Sequence, residues 1–233
     1  MNMRDQPLYA DRQAAGRALV PLLSRFRKSD AVVFALPRGG VPVAIVIARA
    51  LSLPLDLLHV RKIGAPLEPE LALGAVVDGA DPDIVLNEPL VERMGISPAM
   101  LDEIGQRELR EIARRKTRYG AATGVTLMPT GRTAIVVDDG LATGATVRAA
   151  VQALRRRGAT RVVVAVPVAP PDAVAGLEAA GAEVICPHVT EHFFGVGSFY
   201  RDFSQLSDES VIEQLGAFRR DTETTASGRK IST

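Results

Sequence analysis

The chain has 233 residues, 47% of them hydrophobic, and its 28 Lys and Arg nearly balance its 27 Asp and Glu for a formal net charge of +1. That is enough chain for one substantial core, and there is no overall field to attract nucleic acid or an anionic membrane surface. A single cysteine, Cys186, excludes an internal disulfide and suits a reducing cytoplasm, and the start, MNMRDQPLYADR, lacks the apolar core of a signal peptide.

Ala15, Ala18, Leu19, Leu22, Leu23 and Phe26 fall on one helical face, so an amphipathic helix is predicted from about Arg12 to Arg27, kinked at Pro21. Ala31 to Leu36 is an apolar run suited to a buried strand. It ends at Pro37, Arg38, Gly39 and Gly40, and Val41 to Leu51 suits a helix. Backbone donors at such a glycine turn can approach an anion while the Arg38 guanidinium adds charge. Leu55 to Val60 reads as the next strand, and the segment from Arg61 and Lys62 to Glu68, Pro69 and Glu70 as a loop, because it holds a glycine and two prolines.

Leu71 to Val77 and Asp83 to Leu86 read as a hairpin. Ser97 and Pro98 then open a helix running to about Tyr119, with Glu103 and Arg107, and Glu111 and Arg115, at the four-residue spacing of a solvated face. Residues 78–119 are therefore expected to form a hairpin-and-helix insertion, followed by a polar connector from Gly120 to Arg132.

The most informative stretch is Ala134 to Thr146, AIVVDDGLATGAT. Ile135, Val136 and Val137 form a run without polar alternation, as in a parallel strand buried on both faces. Asp138 and Asp139 sit at its carboxyl end. Gly140, Leu141, Ala142, Thr143, Gly144, Ala145 and Thr146 then lead into a helix marked by Val147, Ala150, Val151 and Leu154. Free N–H groups at a helix start, with hydroxyls beside them and glycines allowing close approach, form a site for a phosphate group. The paired carboxylates suit hydroxyl donors, such as the vicinal hydroxyls of a pentose, or a hydrated cation. A nucleotide-hydrolysing P-loop is disfavoured, since Ala145 stands where that motif needs lysine.

Arg161 to Val166 is another buried strand, Asp172 to Ala180 a short helix and Glu183 to Cys186 a last short strand. Residues 187–215 follow no simple period, yet Phe193, Phe194, Phe199, Tyr200 and Phe203 crowd together there, half of the chain's ten aromatics. Phe218 to Thr233 is polar, and 218–233 is expected to be a disordered tail. The alternation of strands and helices predicts one α/β domain over 1–217. Its expected core is an open, mostly parallel twisted sheet flanked by helices, with ligands outside the carboxyl ends of the strands.

At DDGLATGAT the sequence resembles the type I phosphoribosyltransferases, in the form closest to the adenine enzymes. With its LPRGGVPVA, RKIGAP, PELALGAV, VPVAPP and VGSFYRDFSQLSDE segments, the chain is similar to a bacterial group of that family, some members of which occur joined to a hydrolase domain. The resemblance spans about Asp11 to Leu215. It implies that Gly140 to Thr146 hold the 5-phosphate of phosphoribosyl diphosphate (PRPP), that Asp138 and Asp139 hold the ribose hydroxyls, and that Arg38, Gly39 and Gly40 form the diphosphate loop. It further implies that Arg61 and Lys62 lie on a lid, with Glu68 or Glu70 as candidate acid or base.

The resemblance also implies that residues 187–215 form a hood in which Phe194, Val196, Tyr200 and Asp202 face a nitrogen acceptor, a nucleobase or similar heteroaromatic, the alternative being that these rings seal a small C-terminal subdomain against the core. Magnesium would ride on the diphosphate, with no direct protein ligand and with water between it and Asp138 or Asp139. The partners implied are small-molecule substrates, with no nucleic acid and no membrane, in a cytoplasmic homo-oligomer, expected to be a dimer. The chain departs from the hypoxanthine enzymes at Ala142, where they carry an aspartate, and in lacking a lysine between Val166 and Pro171. A PRPP-sensing regulator that lost turnover is the alternative.

Overall fold

The computed structural model describes residues 7–66, 68–78, 83–123 and 127–229, leaving aside the side chains at 68–70, 72, 83, 120–123 and 223–229. In chain order the elements are α1 (Arg12–Leu19), β1 (Val32–Ala35), α2 (Gly40–Leu51), β2 (Leu55–Leu57), β3 (Val60–Ala65), β4 (Glu68–Val77) and β5 (Asp83–Leu86). These are followed by α3 (Glu88–Arg93), α4 (Pro98–Thr123), β6 (Thr133–Val137), α5 (Ala145–Arg156), β7 (Arg161–Ala165) and β8 (Val168–Ala169). The chain closes with α6 (Pro171–Ala179), β9 (Glu183–Ile185), β10 (His188–Val189) and α7 (Asp208–Arg229).

The central sheet is five-stranded, in the order β2-β1-β6-β7-β9, with every neighbour parallel. Its apolar runs follow from burial on both faces. Val33, Ala35, Ile135, Val137, Val163 and Ala165 pack with α1, α2 and α7 residues, while Val32, Phe34, Ala134, Val136, Val162 and Val164 pack with α5 and α6 residues. The expected mostly parallel α/β sheet is what the chain forms. Among the described residues no helix is long and apolar enough to cross a membrane.

Four elements differ from the sequence expectation. Pro21 ends α1 rather than kinking it, and Pro21–Phe26 continues as a 3₁₀ turn. The expected loop after Arg61 is two strands, and β3, β4 and β5 form an antiparallel sheet of their own. Register shifts at Ile63, Gly64 and Ala65 absorb the glycine that argued for a loop. The insertion helix α4 is not wholly solvated. Ile104 and Ile112 pack against Ile63, Leu73 and Val76 of this second sheet, and Tyr119 enters the core beside α7.

Of the tail expected to be disordered over 218–233, the part up to Arg229 continues α7, whose Val211, Leu215 and Phe218 dock on the α2 side of the central sheet, and 230–233 lie outside the described residues. Ser207 caps it through a 3.1 Å bond from the Ser210 N–H, and Arg49 pairs with Asp221 at 2.5 Å.

His59 lies where α4 meets the main domain, its ring stacked on Tyr119 with centroids 5.6 Å apart. Burial pushes its pKa down to about 4, opposed by Asp78 and reinforced by Arg115 and Lys116. The folded chain therefore holds His59 neutral where the unfolded chain takes up a proton, and stability is full above the unfolded value near 6.5 and lost as pH falls towards about 4. Urea unfolding at pH 7 and pH 5 should differ by roughly 2 kcal/mol from this group. His59→Phe, which keeps the stack, should reduce that difference by about as much. An unchanged difference in the variant would assign the acid sensitivity to other groups.

Candidate active site

The carboxyl ends of β1 and β6 are neighbours, and each runs into a glycine turn before a helix. Leu36 N–H donates to the Val137 carbonyl at 3.0 Å, tying the two turns together. The Pro37–Arg38 peptide bond is cis. A Cβ on Gly40 would lie 2.4 Å from the Val137 carbonyl oxygen, and one on Gly39 would lie 2.1 Å from Asp139 Oδ2. Only glycine therefore allows the first turn to touch the acids of the second.

After Gly140 the loop is anchored by Leu141, which is buried and donates its N–H to the Val168 carbonyl at 2.9 Å. Ala142 and Thr143 are exposed. Gly144 adopts φ +68°, a left-handed conformation that side chains disfavour, and turns the chain into α5. Thr143 Oγ1 accepts from the Ala145 N–H at 3.4 Å. The first N–H groups of α5 and the Thr143 and Thr146 hydroxyls lie on this one turn, which is the composition of an anion site.

Asp138 and Asp139 sit between these turns. The Asp139 N–H donates to Asp138 Oδ1 at 2.9 Å. Burial raises both carboxyl pKa values, Asp138 well above the usual range because Asp139 adds a like charge. At Asp139 the rise is opposed by Arg12, whose Nε donates to Oδ2 at 2.8 Å. Tyr200 is buried and its hydroxyl donates to the Asp139 carbonyl oxygen at 2.5 Å. Burial, with Asp139 nearby, pushes the Tyr200 phenol up, so it stays a donor. Val196 closes over Gly140, where a Cβ would lie 2.6 Å from Val196 Cγ1.

A strand, two acids and a Gly/Thr turn into α5 face a second glycine turn, and a family model described as phosphoribosyl transferase domain matches residues 9–203. The chain belongs to the phosphoribosyl transferase family. Two curated proteins from Mycobacterium tuberculosis strains CDC 1551 and H37Rv, each named "Putative phosphoribosyl transferase", are 45% identical to it over 215 residues. Those matches cover 92% of this chain and 48% of each relative, so the chain spans about half the length of the curated relatives it matches. The crystal structure of TT1426 from Thermus thermophilus is 40% identical, with a TM-score of 0.80 over 90% of this chain and 98% of that one.

The other predicted site residues are distributed unevenly. Arg38 approaches Asp208 at the start of α7, Nη1 to Oδ1 4.0 Å, and Asp208 also accepts from the Tyr119 hydroxyl and pairs with Arg118 at 3.2 Å. Arg61 lies on β3, not on a loop, and its Nε donates to Glu108 of α4 at 2.9 Å. Together with Lys62, Arg107 and Arg110, it lines a cavity of about 650 Å³ between β3 and α4. Glu68 and Glu70 belong to β4 by backbone, and their side chains lie outside the described residues.

In the hood, Phe194 is 93% exposed, whereas Asp202 accepts from the Ser204 N–H at 3.0 Å. The hood is also tied to the chain's start. Tyr9 N–H donates to the Phe199 carbonyl at 3.0 Å, and the Arg201 N–H returns to the Tyr9 carbonyl at 2.9 Å. Sequence reasoning missed Arg12 as a neighbour of the acids, and no local pattern marks it, since Arg12 and Asp139 are 127 positions apart.

Proposed function

We propose that the protein binds magnesium PRPP and transfers its 5-phosphoribosyl group to a nitrogen acceptor, a nucleobase or similar planar heteroaromatic, releasing diphosphate. The observation that carries this reading is the contact of the Gly39–Gly40 turn with Asp138 and Asp139 beside the Thr143–Thr146 phosphate turn. In this reading the 5-phosphate rests on the start of α5, the ribose hydroxyls donate to the two carboxylates, and the diphosphate lies by Arg38, Gly39 and Gly40.

The bond from the anomeric carbon to diphosphate breaks, a bond to the acceptor nitrogen forms, and that nitrogen loses its proton. The transition state resembles an oxocarbenium ion, so positioning and charge complementarity count for more than a covalent nucleophile. Adjacent carboxylates are hard oxygen donors of the kind magnesium accepts while keeping its waters, so Asp138 and Asp139 would hold it through water. Bound there, it would supply charge neutralisation for the departing diphosphate. Phe194, Val196, Tyr200 and Asp202 remain the candidate acceptor side, and a cytoplasmic dimer is the assembly this reading carries.

The test is isotope exchange and diphosphate release with magnesium PRPP against a panel of nucleobases and other amines. Diphosphate release dependent on one planar base supports transfer. PRPP binding without exchange on any acceptor supports the second reading, a PRPP-sensing regulator, which is favoured by one observation: Arg61 is held by Glu108 on a paired strand.

If Arg61 and Lys62 close on the diphosphate, Arg61 exchanges Glu108 for it. Arg61→Ala should then lower turnover at least tenfold, the scale of one lost charge-assisted bond of about 1.5 to 3 kcal/mol. Affinity for ribose 5-phosphate, which lacks the diphosphate, should change little. Equal loss for both ligands would contradict the closure.

A further inference from the structure

The group that holds Asp139 comes from outside every motif of the site. Arg12 stands in the first turn of α1, and its side chain is 11% exposed. Nε donates to Asp139 Oδ2 at 2.8 Å and Nη1 to the Ser204 carbonyl at 3.0 Å. The guanidinium carbon lies 3.9 Å from the centre of the Phe203 ring. One face is therefore packed and two donors are committed in different directions, so the guanidinium has a single orientation. A guanidinium does this with two nitrogens on one rigid plane laid against the ring, whereas an ammonium offers its three donors from a single nitrogen and has no flat face.

Asp139 is also held through its carbonyl by Tyr200 and faces Gly39, where a Cβ would collide with Oδ2. The amino-terminal helix and the first glycine turn thus meet at the Asp139 carboxylate, while the hood holds the same residue by its backbone. Asp138, by contrast, receives the Asp139 N–H.

We propose that Arg12 is the positioning residue of the ribose clamp: with Phe203 behind it, it fixes the rotamer of Asp139 so that this carboxylate meets the ribose hydroxyls already oriented. This rests on the proposed reading of the site as one for a phosphoribosyl group. Arg12 reaches Asp139 rather than the sugar, so its removal costs the ligand only what the hydroxyls contribute. A carboxylate free to choose rotamers, or turned towards Asp138, loses that contribution.

The experiment is calorimetric titration of the full chain with ribose 5-phosphate and with 2,3-dideoxyribose 5-phosphate. The proteins are wild type, Arg12→Gln, Arg12→Lys and Phe203→Leu, with melting curves as the check on folding. Wild type should prefer the hydroxylated sugar; no preference, or no binding of either, would overturn the phosphoribosyl reading itself, independently of Arg12. Given that preference, Arg12→Gln should lose about tenfold or more for ribose 5-phosphate, the scale of a charge-assisted bond, and little for the dideoxy sugar.

Arg12→Lys should fall short of wild type because one nitrogen must serve the acceptors that Nε and Nη1 now serve separately, with no flat face to lie on Phe203. Phe203→Leu, which keeps the donors and removes their platform, should show a smaller loss of the same selectivity. Equal losses for both sugars in Arg12→Gln would reduce Arg12 to a structural contact and overturn the proposal. So would an unchanged preference in a folded Arg12→Gln protein. Should Arg12→Gln fail to fold, an unchanged preference in Phe203→Leu overturns it.

Discussion

Asp138→Asn is expected to melt at a higher temperature than wild type at neutral pH while binding PRPP about tenfold more weakly or worse. The affinity loss follows from replacing a charged acceptor of hydroxyl hydrogen bonds, on the order of 1.5 to 3 kcal/mol. The gain in stability follows from linkage. Burial and the Asp139 charge raise the folded pKa of Asp138 well above its unfolded value. The folded state therefore binds that proton more readily than the unfolded chain. The stabilisation is complete below the unfolded value and is lost as pH rises through the folded one.

An asparagine has no proton to lose, and its amide oxygen can still accept the Asp139 N–H that now reaches Oδ1 at 2.9 Å. Asp139→Asn should lose affinity similarly, with less gain in stability because Arg12 already compensates that charge. Melting curves and PRPP calorimetry check both, and unchanged PRPP affinity in the two variants would remove the aspartates from the clamp. A protein that accepts such a cost at its ligand site shows a trade of stability against function.

The second large effect is expected at the first glycine turn. Gly40→Ala drives a methyl to within 2.4 Å of the Val137 carbonyl oxygen and 3.0 Å of Asp138 Cα, backbone atoms that cannot turn aside. That carbonyl also accepts from Leu36, so α2 must move away from the end of β6. Overpacking of this kind costs about 1 to 3 kcal/mol, or roughly 2 to 4 °C of melting temperature per kcal/mol in a chain of this size.

Gly39→Ala meets Asp139 Oδ2, a side-chain atom, at 2.1 Å. The carboxylate can rotate away, so stability should suffer less and PRPP affinity more, since Asp139 then leaves Arg12. Melting curves and calorimetry on the two alanine variants test the contrast. Wild-type melting in Gly40→Ala would show that the two turns do not press together in solution.

How much of this was legible in the sequence depended on how local the physics was. Val32–Ala35, Thr133–Val137 and Arg161–Ala165 read as parallel strands because burial on both faces leaves them no polar alternation. The β3 strand misled because Gly64, Pro66 and Pro69 are loop residues by local preference. Partners such as Val76 opposite Arg61 and Gly74 opposite Ile63 outweigh that preference through pairing, with the irregularity confined to a register shift. The end of α7 misled for a related reason. Val211, Leu215 and Phe218 carry a helical period, but the polar residues around them hide it until the α2 side of the sheet supplies the surface they bury against.

The parallel strands, the Gly140–Thr146 turn before α5 and the pair of acids at the end of β6 were legible in the sequence because each is encoded within a dozen neighbouring residues by burial and backbone freedom. Only the tertiary structure decided what those acids meet. Arg12, Gly39 and Tyr200 reach Asp139 from 127, 100 and 61 positions away. Arg61, for which the family resemblance implied a lid, is turned to Glu108. Such contacts depend on where strands and helices come to rest against one another, and no periodicity or local preference records that.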